Sequence, residues 1–442
     1  MGARGACTRV GRALSAAVGW ALSSALAFGT SACTRIPVDA FGPVDCNAAP
    51  FDLACRYDFW PNPGSSANSD RWLLAHHDEL VELRPRVLVL DFDNRARGAA
   101  LQPAIAARIS ALAEGSRYQG YRDAAAPAFL RYELAGIVDF TDDDPTASPY
   151  GSSTRVPVDS NNQFDPARLF GSEFAFNDPR DPTRNVDLCT LFETGAINEV
   201  WLAVADGVRE PPLMVERRQV YDEALAPVPG AFEPCSQRAG YCLDVECGVT
   251  VRLAHLNAHR GAGCDLQVRG WSFLELGASI PYFAENAAAF LNADFRSRFG
   301  ASFDSFSEIC VADAPCVAYP SSTVAAADGN GTWRFDPYLQ GCGAPEFPPN
   351  ANARYDWFSS TVVDSRCEHY GLDDGPDGDQ YEPYDASKLA VYDQLLPDDP
   401  AFPNDCGGGW QLYWRQSIPG LGNPARGVDG RAMKNWWPFT FY

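Results

Sequence analysis

Two aspartates close one of the most apolar short runs in the chain, Arg86-Val87-Leu88-Val89-Leu90-Asp91-Phe92-Asp93. Paired carboxylates at such a place can orient water, trade a proton or hold a divalent cation. His255 ends another run of this kind, Thr250-Val251-Arg252-Leu253-Ala254-His255, and Glu216 lies in Met214-Val215-Glu216-Arg217-Arg218, downstream of a third run from Glu199 to Ala205 that leads into Asp206. Ligands of open α/β sheets bind beyond the carboxyl ends of the strands. Asp91, Asp93, Glu216 and His255 are therefore expected to meet at one edge as acid, base or metal ligands. The competing expectation is that the aspartates cap the following helix. Glu275, inside the apolar Gly270-Trp271-Ser272-Phe273-Leu274-Glu275-Leu276-Gly277, has to be either paired or functional.

Other motifs carry less. His255 and His259 have the spacing of helical metal ligands, but four residues along a strand span roughly 13 Å, which one ion cannot bridge. No glutamate follows His255 as in H-E-x-x-H, and neither a G-x-S-x-G elbow nor a P-loop is present. Asp373-Asp374-Gly375-Pro376-Asp377-Gly378-Asp379 with Glu382 offers hard oxygen ligands for calcium without EF-hand spacing, and reads more simply as a solvated acidic loop. Trp410, Trp414 and Trp436, with Trp437, could stack on sugar rings; the alternative is a small aromatic core that locks the C-terminus in place.

The elements that must position these residues follow an α/β order. The runs from Val87, Phe129–Phe140, Glu199–Ala205 and Val249–Leu256 read as buried strands, because β-branched and aromatic residues run without polar alternation. Leu101, Ile105, Ile109 and Leu112 recur at helical spacing before Gly115, which predicts a crossover helix. Phe283, Ala287, Leu291, Phe295 and Phe299 predict a core helix over Tyr282–Phe299. Thr141–Arg184, dense in Asp, Pro, Ser and Asn, reads as an insertion or surface loop. The expected organisation is a signal segment over 1–33, a linker or strap over 34–70, an α/β core over 71–300 and an irregular Trp-rich part over 301–442 packed on that core. The fold class is α/β: a mostly parallel sheet with flanking helices, followed by a disulfide-pinned, loop-rich C-terminal part.

The N-terminus sets the compartment. Arg4, Arg9 and Arg12 precede an apolar run, Ala13 to Phe28, which is shorter than the roughly 20 residues of a spanning helix. Small residues then lead to Cys33, where a bacterial lipoprotein carries its lipid, although Thr30 stands where Leu is usual. Of 14 cysteines, Cys7 leaves with the signal and a lipidated Cys33 leaves an even number for disulfides. None forms a C-x-x-C; proximity suggests pairing within Cys235, Cys242, Cys247 and Cys264, and of Cys310 with Cys316. The expected location is the bacterial cell envelope or beyond, with membrane attachment only through Cys33. At a formal net charge of −22 the chain is not expected to bind nucleic acid. Only Lys388 and Lys434 are lysines among 35 basic residues.

Several segments together resemble a family of secreted bacterial α/β proteins of unknown activity with a C-terminal Asn-Trp-Trp segment. They are the strand Val87 to Asp93, Glu199-Val200-Trp201-Leu202 with Glu216 downstream, Phe347-Pro348-Pro349-Asn350 followed by Tyr355-Asp356-Trp357, Trp414-Arg415-Gln416-Ser417-Ile418-Pro419, and Asn435-Trp436-Trp437. The resemblance implies one integrated unit over residues 86–442 and supplies no activity. It places a histidine in the helix after Glu275 and another where Ser417 stands; this chain has neither, so histidine-dependent chemistry does not carry over.

The expected function is that of an exported, lipid-anchored protein with a hydrolase-like site at the strand ends, acting on an extracellular glycan, with a divalent metal as the candidate cofactor. Asp91 and Asp93 would orient water or metal, and Glu216, His255 or Glu275 would act as acid or base. The alternative is a non-catalytic surface lipoprotein that binds glycan or a partner through Trp410, Trp414 and Trp436. Metabolic labelling with a palmitate analogue should mark the mature protein, and Cys33→Ser should abolish the mark; an unlabelled wild-type protein rules out the anchor.

Overall fold

The computed structural model describes residues 58–61, 76, 78–94, 101–144, 153–178, 181, 183–204, 214–217, 219–222, 227–232, 247–249, 251–255, 306–310, 316–318, 336, 338, 340–343, 347–353, 356–372, 380–393, 408–426, 433 and 435–440. Its centre is a five-stranded sheet. In chain order the strands are β1 (Arg86–Asp91), β2 (Glu133–Asp139), β3 (Glu199–Ala203), β4 (Met214–Arg217) and β5 (Val251–His255), arranged β2-β1-β3-β5-β4. Four run parallel, and β4 closes one edge antiparallel to β5. All four apolar runs expected as strands are strands of this sheet, consistent with the α/β class. The short β4 escapes a periodicity reading because it offers only four residues, two of them charged.

Every side chain of β1 and β3 is buried, so both faces of the sheet need cover. Helix α1 (Leu101–Gly115) covers one face: its Leu101, Ile105 and Leu112 pack on Val87, Val89, Trp201 and Ala203. The other face, with Leu88, Leu90, Val200, Leu202, Val251 and Leu253, packs on Val156, Phe164, Leu169, Phe174 and Phe176 and on helix α2 (Leu188–Glu193). Thr141–Arg184 is therefore not a surface loop where it is described. Its scattered aromatics form the second layer, which its Asp- and Pro-rich composition masks. The disulfide Cys189–Cys247 ties α2 to the segment before β5, so Cys247 pairs outside the group suggested by proximity, whereas Cys310 does pair with Cys316.

The C-terminal part builds a third cluster. Helix α3 (Gly408–Ser417) buries Trp410, Leu412, Tyr413 and Trp414 among Phe306, Trp357, Tyr370, Tyr384, Tyr392, Trp436 and Trp437. Cys342–Cys367 lies in the same cluster. Before α3 in chain order, a short antiparallel pair, β6 (Val363–Ser365) and β7 (Glu382–Tyr384), alternates inward and outward side chains. Trp60 and Leu83 join this cluster through a two-residue parallel pairing of Phe59–Trp60 with Glu82–Leu83. The expected strap is thus core at Trp60, although Cys46 and Cys55 lie outside the described residues. The helix expected over Tyr282–Phe299 lies outside them as well.

Helix α3 docks on the end of α1. Gln416 Nε2 donates to Glu114 O at 3.0 Å, Tyr392 OH donates to Gln416 Oε1 at 2.8 Å, and the Gln119 N–H donates to Gln416 O at 2.7 Å. The approach needs glycine at 120, where a Cβ would lie 2.7 Å from Gln416 Nε2. Trp414 is fully buried and its indole N–H donates to Gly343 O at 3.0 Å. Trp414→Ala should lower the stability of the fold by about 3–5 kcal/mol in urea unfolding, the cost of a large core cavity; a change below about 1 kcal/mol would place Trp414 outside the cooperative core.

Candidate functional site

The parallel strands deliver their carboxyl ends to one edge, but that edge is closed where it is described. Asp91 and Asp93 are buried, and the Asp93 N–H donates to Asp91 Oδ1 at 3.0 Å. Asp139, the register partner of Asp91, repeats the device by accepting from the Thr141 N–H at 2.8 Å. Asp91 and Asp139 thus each hold a strand-end turn, and residues 95–100, between Asp93 and α1, lie outside the described residues. Asn94 and Asp142 then clasp the two turns together: Asn94 Nδ2 donates to Asp142 Oδ2 at 3.0 Å, and the Asp142 N–H donates to Asn94 Oδ1 at 2.8 Å. Ser153 and Thr154, from the covering segment, also donate to Asp142. Burial pushes the Asp142 carboxyl up, but the donors from Thr154, Asn94 and Ser153 outweigh it and hold it at about 2. Phe92, Phe140 and Phe174 stack beside the clasp.

The other residues expected at this edge do not gather there. Register pairs Glu216 with Arg252, three residues before His255 and toward the opposite edge. Glu216 thus lies level with Glu199 and Val87, roughly 13 Å along the strands from the level of Asp91, the antiparallel course of β4 having carried it back. His255 pairs with Leu202 on β3, so its backbone is two strands away from β1, roughly 10 Å across the sheet. Asp206 and Glu275 lie outside the described residues. Trp410, Trp414 and Trp436 are buried, so their rings pack the core and present no sugar-stacking face.

The structure instead gathers titratable side chains in the C-terminal cluster; Glu382, expected as part of a solvated acidic loop with calcium binding as the weaker reading, is buried there. Glu382 opens β7 opposite Ser365 of β6, and the pairing turns both side chains inward. Glu382 Oε1 accepts from Ser365 Oγ at 2.7 Å and from the Glu368 N–H at 3.0 Å. Its Oε2 lies 3.2 Å from His369 Nδ1. Glu368 is a hub for three segments: Oε1 accepts from Lys388 Nζ at 2.5 Å and from Tyr413 OH of α3 at 2.8 Å, and Oε2 accepts from Arg122 after α1. Gln119 Nε2 also donates to Glu368 O at 2.7 Å. Ser417 donates its hydroxyl to Tyr413 O at 2.9 Å, and the Tyr413 ring lies tilted against that of Tyr121 with centroids 5.0 Å apart.

The two carboxylates are driven in opposite directions. Burial dominates at Glu382 and lifts it to about 7, against the donors from Ser365 and Glu368. Burial also pushes Glu368 up, but Lys388, Tyr413 and Arg122 overcome that and hold it below the usual range. Carboxyl groups pushed apart in this way form an acid and an ionised partner side by side. The basic side chains are the accessible part: Arg122 is 45% exposed, Lys388 25% and His369 26%, over Glu368 at 9% and Glu382 at 6%.

Among the described residues the one group spaced to hold a cation is Glu308, Cys310 and Cys316, and its two sulfurs are already joined as a disulfide. Asp373–Asp379 lie outside the described residues. No described helix is long and apolar enough to cross a membrane. No family model matches the chain, and no curated protein or solved structure is significantly similar to it.

Because burial raises Glu382, its contribution to stability is complete below about 4.5 and disappears as the pH climbs through about 7. The wild-type Tm should therefore fall across that window by an increment that Glu382→Gln lacks, read by calorimetry of both proteins from pH 4 to 8. Parallel profiles would show that Glu382 titrates as an ordinary carboxylate.

Proposed function

We propose that this chain is an exported, lipid-anchored hydrolase acting on an extracellular glycan, with its acid–base centre at Glu382 and His369 instead of the strand ends. The observation that carries this reading is the approach of Glu382 Oε2 to within 3.2 Å of His369 Nδ1, in ion-pair range but not aligned as a hydrogen bond, while Oε1 is occupied by two donors. With Oε1 accepting from Ser365 and the Glu368 N–H, a proton on Glu382 belongs on Oε2, facing the imidazole. Burial lifts Glu382 to about 7, near the pH at which a proton donor and acceptor works best, and half-buried His369 lies beside its Oε2. Glu368 stays ionised beside it, held by Lys388, Tyr413 and Arg122. Paired carboxyl groups in opposite protonation states suit glycosidic bonds, whose cleavage needs a proton for the leaving oxygen and a negative charge near the sugar.

The signal segment and the lipidation position at Cys33 support the location, and the family resemblance to secreted proteins agrees with it. A non-catalytic glycan-binding reading loses its main support, because Trp410, Trp414 and Trp436 are buried. The test is release of reducing ends from a panel of neutral and acidic polysaccharides by the mature protein. Glu382→Gln should lower turnover by about 10²–10⁴-fold with the fold retained by circular dichroism, and activity should vary across pH 6–8. Equal turnover by wild type and Glu382→Gln, or none on any polysaccharide, overturns the reading.

A further inference from the structure

We infer that the glycan bound at this centre is a polyanion whose sugars carry carboxylates, held between Arg122 and Lys388. The inference rests on the proposed acid–base centre and names the substrate class it takes. Arg122 and Lys388 share one carboxylate, that of Glu368, as their anionic partner among the described residues. A guanidinium has five N–H donors and an ammonium three. Arg122 places one on Glu368 and a longer one on Gln119 Oε1 at 3.4 Å, and Lys388 places one on Glu368 at 2.5 Å. Both keep donors for a second oxyanion, and both are the solvent-facing layer over the buried carboxylates.

The local charge points the same way. The chain has 57 acidic residues against 35 basic ones, and one of its two lysines stands here. With Glu382 protonated, Arg122 and Lys388 exceed Glu368 by one positive charge, and His369 adds a further positive charge when protonated. In so acidic a protein, two partly exposed cations beside a proton donor favour a negatively charged ligand out of a field that repels it elsewhere. A planar carboxylate suits it best, because the same two cations already grip the planar carboxylate of Glu368, and guanidinium binds such groups through paired donors.

The experiment is calorimetric binding to the mature, full-length Glu382→Gln protein, which separates binding from turnover. The probes are fully de-esterified oligogalacturonides, their methyl esters, and a sulfated neutral oligosaccharide of equal length. The acid form should bind at least about ten-fold tighter than the ester and tighter than the sulfate, and Arg122→Gln and Lys388→Met should each remove most of that preference. Equal affinity for acid and ester, a preference for the sulfate, no binding of any probe at millimolar concentration, or a preference unchanged in both variants overturns the inference. Carboxylate-selective binding without wild-type turnover would instead defeat the hydrolase reading alone, and turnover indifferent to esterification would defeat only the carboxylate subsite.

Discussion

From Trp410 to Ser417, helix α3 is buried at every residue, and that constraint organises the C-terminal half of the described structure. Apolar side chains meet it by packing. Polar ones must find partners, since an unpaired polar group costs about 1–3 kcal/mol. Gln416 bonds Glu114 and Tyr392, Tyr413 bonds Glu368, and Trp414 bonds Gly343. Arg415, fully enclosed, stacks on Trp437, and burial lowers it to about 10 against the pull of Tyr132. Tyr132 in turn bonds Glu199 on β3. One short helix thereby connects the end of α1, the sheet and the β6–β7 pair.

The same demand explains which parts of the fold were legible in the sequence. Val87-Leu88-Val89-Leu90 and Glu199-Val200-Trp201-Leu202 announce buried parallel strands because no polar residue alternates with the apolar ones. Leu101, Ile105 and Leu112 announce α1 through their spacing. Helix α3 is hidden: Gln411, Arg415, Gln416 and Ser417 break any apolar stripe, and all are nonetheless buried. The second layer is hidden for a related reason, since Phe164, Leu169, Phe174 and Phe176 are separated by Asp165, Pro166, Gly171 and Ser172, residues of the kind that serve turns. Residues 153–178 fold around caps such as Asp165, whose side chain accepts from the Ala167 N–H at 3.2 Å, and not around a long helix with a readable period.

The candidate site was less legible still. The rule that ligands lie beyond strand ends led to Asp91 and Asp93, whose carboxyl ends are the correct edge for the fold. What the rule lacks is the cover: Ser153 and Thr154 bind Asp142 and close the clasp over β1 and β2. Glu216 misled because strand direction is not readable from four residues, and an antiparallel edge strand reverses the end to which a side chain belongs. The Glu368 hub draws on Arg122, Lys388 and Tyr413, residues from separate parts of the chain with no shared motif. The available local signal was Cys367-Glu368-His369 followed by Tyr381-Glu382-Pro383-Tyr384, where inward and outward positions alternate around a glutamate.

Chemistry and stability at this hub draw on the same contacts. Cys342–Cys367 pins the backbone one residue before Glu368, and the Cys367 N–H donates to Ser365 Oγ at 3.3 Å, the hydroxyl that itself donates to Glu382. The Glu368 main chain is then held by Gln119 and Glu382, so its side chain has little freedom when Arg122 or Lys388 engages another anion. A carboxylate fixed from behind can share its cations without being displaced. Glu382 behaves differently, because among the described residues no lysine or arginine contacts it directly, and burial keeps its charge unfavourable. The pair is thus asymmetric by construction: one member is neutralised by cations in front of it, the other by a proton beneath them. An anion arriving at the cations strengthens that asymmetry, since added negative charge nearby raises the proton affinity of Glu382 further.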